Sequence, residues 1–380
     1  MESDVYQQLA HHLDQLPGGY PPTPDGLELR ILRRLFTPEE AALALHLTLI
    51  PESAAVIARR AGLEPASAER MLAEMAEKGL LSDSPGRTTA DGRFRPPRYM
   101  AAQFVVGIWE YQVMRLNVEL ARDVGEYLPY LLDPDAWQKA PQLRTIPIGE
   151  SLKASSEVAT YESAELMVLA HERFAVAPCI CREEKSLVGE GCGKPLDTCL
   201  SMGGAADFYI RHNRGREISQ EEALEVLKTA ERAGLVIQPG NTQDARFLCC
   251  CCGDCCGVLR SVKLHPRPAE ILSSAFQAVC DQAVCSGCGD CLGRCQMEAI
   301  DVDAGYAVID LNRCIGCGLC VTTCPTEAMS LFRKPAKEAP YVPKDSIELY
   351  LRLARARGLL GPTELARLAM KSGLDRLKAM

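Results

Sequence analysis

The chain has 380 residues, 47% of them hydrophobic, with a formal net charge of −8. That excludes a disordered chain, allows two or three domains with real cores, and is a poor overall match for nucleic acid phosphates. No run approaches the length of a membrane span, and the N-terminus MESDVYQQLAHHLDQ lacks the basic and apolar regions of a secretory signal, so no membrane insertion and a cytoplasmic location are expected. In that reducing compartment, nineteen cysteines point to metal rather than to disulfides.

The fold class reads as α+β. Residues 1–100 are free of cysteine and mostly helical. Thr37-Pro38-Glu39-Glu40 has the form of a capping box with proline at the first helical position. PESAAVIARRAGLEPASAERMLAEMAEKGLL gives one short helix ending at Gly62 and a second stopping at Gly79. The stretch that follows, to Phe104, suits a hairpin, and the whole resembles a winged-helix module. Its second helix carries Glu64, Glu69, Glu74 and Glu77 against Arg70 and Lys78, whereas major-groove reading favours Arg, Lys, Asn or Gln. The hairpin carries Arg87, Arg93, Arg95 and Arg98, which suit phosphate contacts. A structural or protein-docking role is favoured over DNA binding. Residues 101–145 read as linking helices, with FVVGIWEYQVMRLNVELARDVGEYL as one long amphipathic helix.

Residues 146–270 form the expected cysteine-rich metal domain. SAELMVLAHERFAVAPC reads as a helix running into the loop of Cys179. Ser219-x-x-Glu222 begins a further helix that Gly234 ends. The ten cysteines come in blocks: Cys179 and Cys181, Cys192 and Cys199, then Cys249, Cys250, Cys251, Cys252, Cys255 and Cys256. Neighbouring cysteines in an extended CCCC segment point to opposite sides, so they cannot all serve one centre. The simplest set for one [4Fe-4S] cluster is Cys179, Cys181, Cys192 and Cys199. A second centre can be built on the 249–256 block. Zinc, or a redox dithiol at Cys252 and Cys255, are the alternatives. Arg182 and Lys194 lie close enough in sequence to tune such a site. The pattern PCICR…C…PLDTCL, followed by this stretch and a ferredoxin run, resembles uncharacterised 4Fe-4S dicluster proteins of anaerobic bacteria and archaea; the resemblance implies iron–sulfur binding and electron transfer.

Residues 280–333 carry the most specific signal. CSGCGDCLGRC supplies Cys285, Cys288, Cys291 and Cys295, and CIGCGLCVTTCP supplies Cys314, Cys317, Cys320 and Cys324. Both runs read C-x2-C-x2-C-x3-C, 29 residues apart. This resembles the bacterial two-cluster ferredoxin domain. The resemblance implies that Cys285, Cys288, Cys291 and Cys324 hold one [4Fe-4S] cluster, and that Cys314, Cys317, Cys320 and Cys295 hold the other. Gly287, Gly289, Gly316 and Gly318 suit the tight loops, and DAG suits a turn between two strands. One departure is visible: Gln296 follows Cys295 where the family usually has proline. Two zinc knuckles are the competing reading. Cys280 stands alone and reads as a packing thiol.

Residues 343–380 read as a helical tail, with Leu349, Leu353 and Leu360 on one side and Arg352, Arg355, Arg357 and Arg367 giving a basic cast. No nucleotide fingerprint, nucleophile triad or acid–base pair appears. The function expected is a multi-cluster electron-transfer protein serving a redox partner protein. The alternatives are a redox-sensing winged-helix regulator and a reductase with an unusual cluster in 179–256.

Overall fold

The structure is a computed structural model that describes residues 4–89, 91–132, 134–152, 158–272, 274–359 and 375. It divides into two compact units, residues 1–131 with 354–380, and residues 132–353. The cysteine-rich segment and the ferredoxin-like segment, expected as separate domains, share the second unit. In the tail, a helix spans Ser346–Ala356 with Leu349 and Leu353 buried. The expected positions Leu360 and Arg367 lie outside the described residues.

The first unit begins with helices Val5–Asp14, Leu27–Leu35 and Pro38–Ala44. The capping box at Thr37 is complete: Glu40 N–H donates to Thr37 Oγ1 at 3.2 Å and Thr37 N–H donates to a Glu40 carboxylate oxygen at 2.9 Å. Two further helices, Ala54–Ala61 and Pro65–Lys78, stop at Gly62 and Gly79, both left-handed. Strands β1 (Glu52–Ser53), β2 (Leu81–Ser84) and β5 (Arg98–Ala101) form an antiparallel sheet in the order β1-β5-β2. Strands β3 (Arg87–Thr88) and β4 (Phe94–Arg95) make a small hairpin. Tyr20, Phe104 and Tyr127 form a buried aromatic cluster, with ring centroids 4.9 to 5.8 Å apart.

The expected long helix after Phe104 is broken. Residues 104–112 make two short irregular turns, and a helix begins only at Val118–Leu131. The backbone leaves the helical region there: Val105 is extended at ψ 141° and Val106 sits at φ 58°. Asn117 then starts a new helix, its side-chain oxygen accepting from Leu120 N–H at 2.9 Å.

The second unit is built on a five-stranded antiparallel sheet, β8-β6-β7-β10-β9. Its strands are β6 (Phe174–Pro178), β7 (Asp197–Met202), β8 (Arg216–Ile218), β9 (Val236–Pro239) and β10 (Phe247–Cys251). FAVAP is therefore a strand, not the end of a helix. The preceding helix covers only Ala164–Leu169, and the four residues Phe174–Ala177 are all buried in the sheet, where tertiary packing overrides local propensity. Helix Gln220–Arg232 covers β6, β7 and β9 with Ala223, Leu227 and Ala230. Ser219 caps it by accepting from Glu222 N–H, while the Glu222 carboxylate turns away to Arg216.

The ferredoxin-like segment adds two antiparallel pairs. Strand β11 (Phe276–Cys280) pairs with β14 (Met329–Arg333), and β12 (Ile300–Asp303) pairs with β13 (Tyr306–Ile309) across a turn at Ala304 and Gly305. Polar contacts lock it to the elements that flank the sheet. Arg294 donates to the carbonyls of Glu231 and Arg232, Ile148 N–H donates to Cys317 O, and Arg333 pairs with Glu162 at 2.8 and 3.0 Å.

Gln296, the residue in place of the family's usual proline, sits in this seam. Its Oε1 accepts from the buried Gly253 N–H at 2.7 Å, and a Cβ on Gly253 would come within 2.4 Å of Gln296 O. Proline has no such acceptor. We expect Gln296→Leu to leave that N–H unpaired and to lower the unfolding free energy of the full chain by about 1–3 kcal/mol. Anaerobic urea unfolding checks this, and an unchanged midpoint would remove Gln296 from the seam's energetics.

Candidate metal centres

The two cysteine runs are related by the same 29-residue offset in space as in sequence. Ala307 N–H points at Cys285 Sγ (3.3 Å), and Ala278 N–H points at Cys314 Sγ (3.5 Å). Gly287 packs on Gly305 O and Gly316 on Phe276 O, so closely that a Cβ would come within 2.5 and 2.1 Å. Both glycines have φ near +68°, so no side chain fits either place. Glu298 and Glu327, three residues after the fourth cysteine of each run, share a left-handed φ of 52° and 55°. The segment is thus a pair of near-equal halves, with β11 of the first half closing on β14 of the second.

Between the halves lie two cavities. Cys285, Cys288, Cys291 and Cys324 line one, with Val302, Ala307 and Met329 as apolar walls. Cys295, Cys314, Cys317 and Cys320 line the other, with Ala278, Ile309 and Leu319. Each cavity takes three cysteines from one run and the fourth from the other run. The donor set fits [4Fe-4S] clusters: four thiols meet around each space, and backbone N–H groups aim at their sulfurs. Burial pushes the Cys317 thiol up to about 12 and raises Cys320 further. Neutral thiols are the stable state there until a cation compensates the thiolates. N–H groups of Gly287 and Ala307 lower the more exposed Cys285. Cys280, expected to pack alone, has its thiol hydrogen-bonded to Cys285. The turn after β11, in which Cys285 N–H donates to Asp281 O at 3.0 Å, brings the two together.

The middle cysteines regroup. The 179–199 block and the 249–256 block do not form separate sets. Cys179 follows β6 and caps helix Ile180–Leu187, whose first turn holds Cys181. Cys179, Cys181, Cys256, Cys251 and Cys249 form a row of thiols in which each interacts with the next. Along this row, contact with the neighbouring thiols lowers the Cys179 and Cys256 thiols and raises Cys181 and Cys251. Cys192 leaves its own block instead and joins Cys252 and Cys255, the three Sγ atoms lying within 4.8 Å of one another. The hydrogen bond from Cys255 holds Cys252 down to about 5. Cys199 lies in β7 opposite Ala177, on the strand that also pairs with β10.

The strand geometry of β10 decides which of the four adjacent cysteines face these groups. Cys249 and Cys251 share a side, while Cys250, between them, points the other way. Cys250 is 2% exposed, and burial raises its thiol. Arg182 lies buried between the two groups. Its Nη1 donates to Cys250 O at 2.9 Å and lies 4.0 Å from Cys252 Sγ, and Nη2 donates to Thr198 Oγ1. Burial alone would lower its pKa, but the sulfurs of Cys179 and Cys252 outweigh that and raise it. Lys194 instead donates to Ala233 O at 3.3 Å.

Comparison with known proteins agrees with the chemistry of the second run. Residues 307–330 match the family model described as a 4Fe-4S binding domain. This stretch holds Cys314, Cys317, Cys320 and Cys324. The chain carries iron–sulfur chemistry. No curated protein and no solved structure matches it. Among the described residues, no helix is long and apolar enough to cross a membrane.

The strand alternation yields a test. Cys250→Ala is expected to leave the metal content of the full chain unchanged, whereas Cys256→Ser is expected to remove one middle centre's worth. Elemental analysis after anaerobic purification reads both. Equal losses in the two variants would contradict the assignment of Cys250 to packing.

Proposed function

We propose that the chain is a multi-cluster iron–sulfur electron-transfer protein that relays low-potential electrons to or from a partner oxidoreductase. The observation that carries this reading is the pair of four-thiol cavities, each completed by the other run's fourth cysteine. Cys285, Cys288, Cys291 and Cys324 would hold one [4Fe-4S] cluster, and Cys314, Cys317, Cys320 and Cys295 the second. A bound [4Fe-4S] cluster takes up and gives back one electron at a time. The chain's own contribution is to keep water from Cys291 and Cys320, and to aim the Ala278, Ala299 and Ala307 N–H groups at sulfur. The middle cysteines other than Cys250 are read as further metal ligands, with Arg182 offsetting their negative charge. The number of thiols supports a reducing cytoplasmic location.

The N-terminal elements are read as a winged-helix-like module that docks protein. Glu64, Glu69, Glu74 and Glu77 are exposed at and along helix Pro65–Lys78, which disfavours a phosphate-lined partner on that face.

The test is a count. Anaerobically purified full-length protein should contain at least about eight iron and eight acid-labile sulfide per chain. Cys320→Ser should lower iron by about four, and dithionite titration should show fewer electrons taken up. Iron near zero, with zinc in its place, would overturn the reading.

A further inference from the structure

Two thiol spacings coexist in the second unit. The Sγ atoms of Cys192, Cys252 and Cys255 lie within 4.8 Å of one another, with Cys192 and Cys252 3.7 Å apart. Thiolates on one tetrahedral zinc, each on a bond of about 2.3 Å, must sit about 3.8 Å apart. Thiolates on a cube bind different irons along bonds that point away from its centre, and sit roughly 6 Å apart. The eight ferredoxin-type cysteines line their cavities, yet among the described residues they form no group of three or more thiols within 4.8 Å.

We propose that Cys192, Cys252 and Cys255 hold a single zinc ion through three thiolates, with the fourth position open to a small neutral donor such as water. This rests on the reading of the middle cysteines as metal ligands and sharpens it. Three thiolates and a divalent cation leave one negative charge. The Arg182 guanidinium, 3% exposed and 4.0 Å from Cys252 Sγ, offsets that charge inside the protein. A neutral fourth donor keeps the balance. Access comes from the Cys192 side: Cys252 and Cys255 are fully buried, but Cys192 is partly exposed. Its loop carries Gly189 and Gly193 at positive φ, with open space beside both. Three protein ligands and an open position are the arrangement by which zinc acts as a Lewis acid rather than as a structural clip. A redox dithiol would need only Cys252 and Cys255 and leaves the approach of Cys192 unexplained.

The test uses the full chain, purified anaerobically, with zinc, iron and acid-labile sulfide counted together. The proposal expects about one zinc per chain. Cys192→Ser and Cys255→Ser should each remove it and leave iron and sulfide unchanged, while Cys250→Ala keeps all three. Zinc-edge X-ray absorption of the unaltered protein, which needs no variant to fold, should show three sulfur scatterers at about 2.3 Å and one lighter atom. Four sulfurs would overturn the open position. Loss of about four iron and four sulfide in Cys192→Ser would overturn the single ion and leave a cluster there. No change in any metal would overturn the metal reading of Cys192, Cys252 and Cys255. Iron retained in the 285–324 segment reports separately on the ferredoxin-type clusters.

Discussion

The second unit depends on an exchange of cysteines. Cys324 reaches back to the cavity of Cys285, Cys288 and Cys291, and Cys295 reaches forward to that of Cys314, Cys317 and Cys320. Neither run completes a set of four by itself. The chain must therefore fold onto itself with approximate two-fold symmetry, and the β11–β14 pairing is the visible result. The buried core between the halves is small, Ala278, Ala307 and Met329 beside Cys291 and Cys320; a cluster held there would offset the entropy cost of closing so long a loop. The close packing of Gly287 and Gly316 on the opposite half follows from the same constraint.

The middle sheet solves a different problem. Six cysteines in eight positions cannot converge along one strand, because a strand alternates sides. The chain leaves β10 after Cys251 and turns at Gly253. Cys252 and Cys255 then meet Cys192, while Cys256 meets Cys181. Gln296, next to Cys295, fastens that turn to the ferredoxin-like half, so the two cysteine-bearing regions are one packed body. Arg182 stands between the two sulfur groups as a buried positive charge that sulfurs of both groups, Cys179 and Cys252, favour.

The parts of this arrangement legible in the sequence are those set locally. The 29-residue period, the glycines at left-handed positions, the Thr37 capping box and the stops at Gly62, Gly79 and Gly234 all follow from backbone chemistry within a few residues. The pooling of Cys192 with Cys252 and Cys255 is not local. It arises from the order of strands in the sheet, which no spacing reveals. FAVAP misleads for the same reason, since its strand state is decided by neighbours on both sides. Gln296 is visible as a departure from the family pattern, yet its meaning needs Gly253, which is distant in sequence and adjacent in space.

The exchange of fourth cysteines is most directly tested by an anomalous difference map, recorded at the iron edge from anaerobically grown crystals of the full chain. The account predicts two iron peaks between the halves, one bounded by Cys285, Cys288, Cys291 and Cys324, the other by Cys314, Cys317, Cys320 and Cys295. An iron peak bounded by all four cysteines of a single run, or no iron at either place, would contradict it.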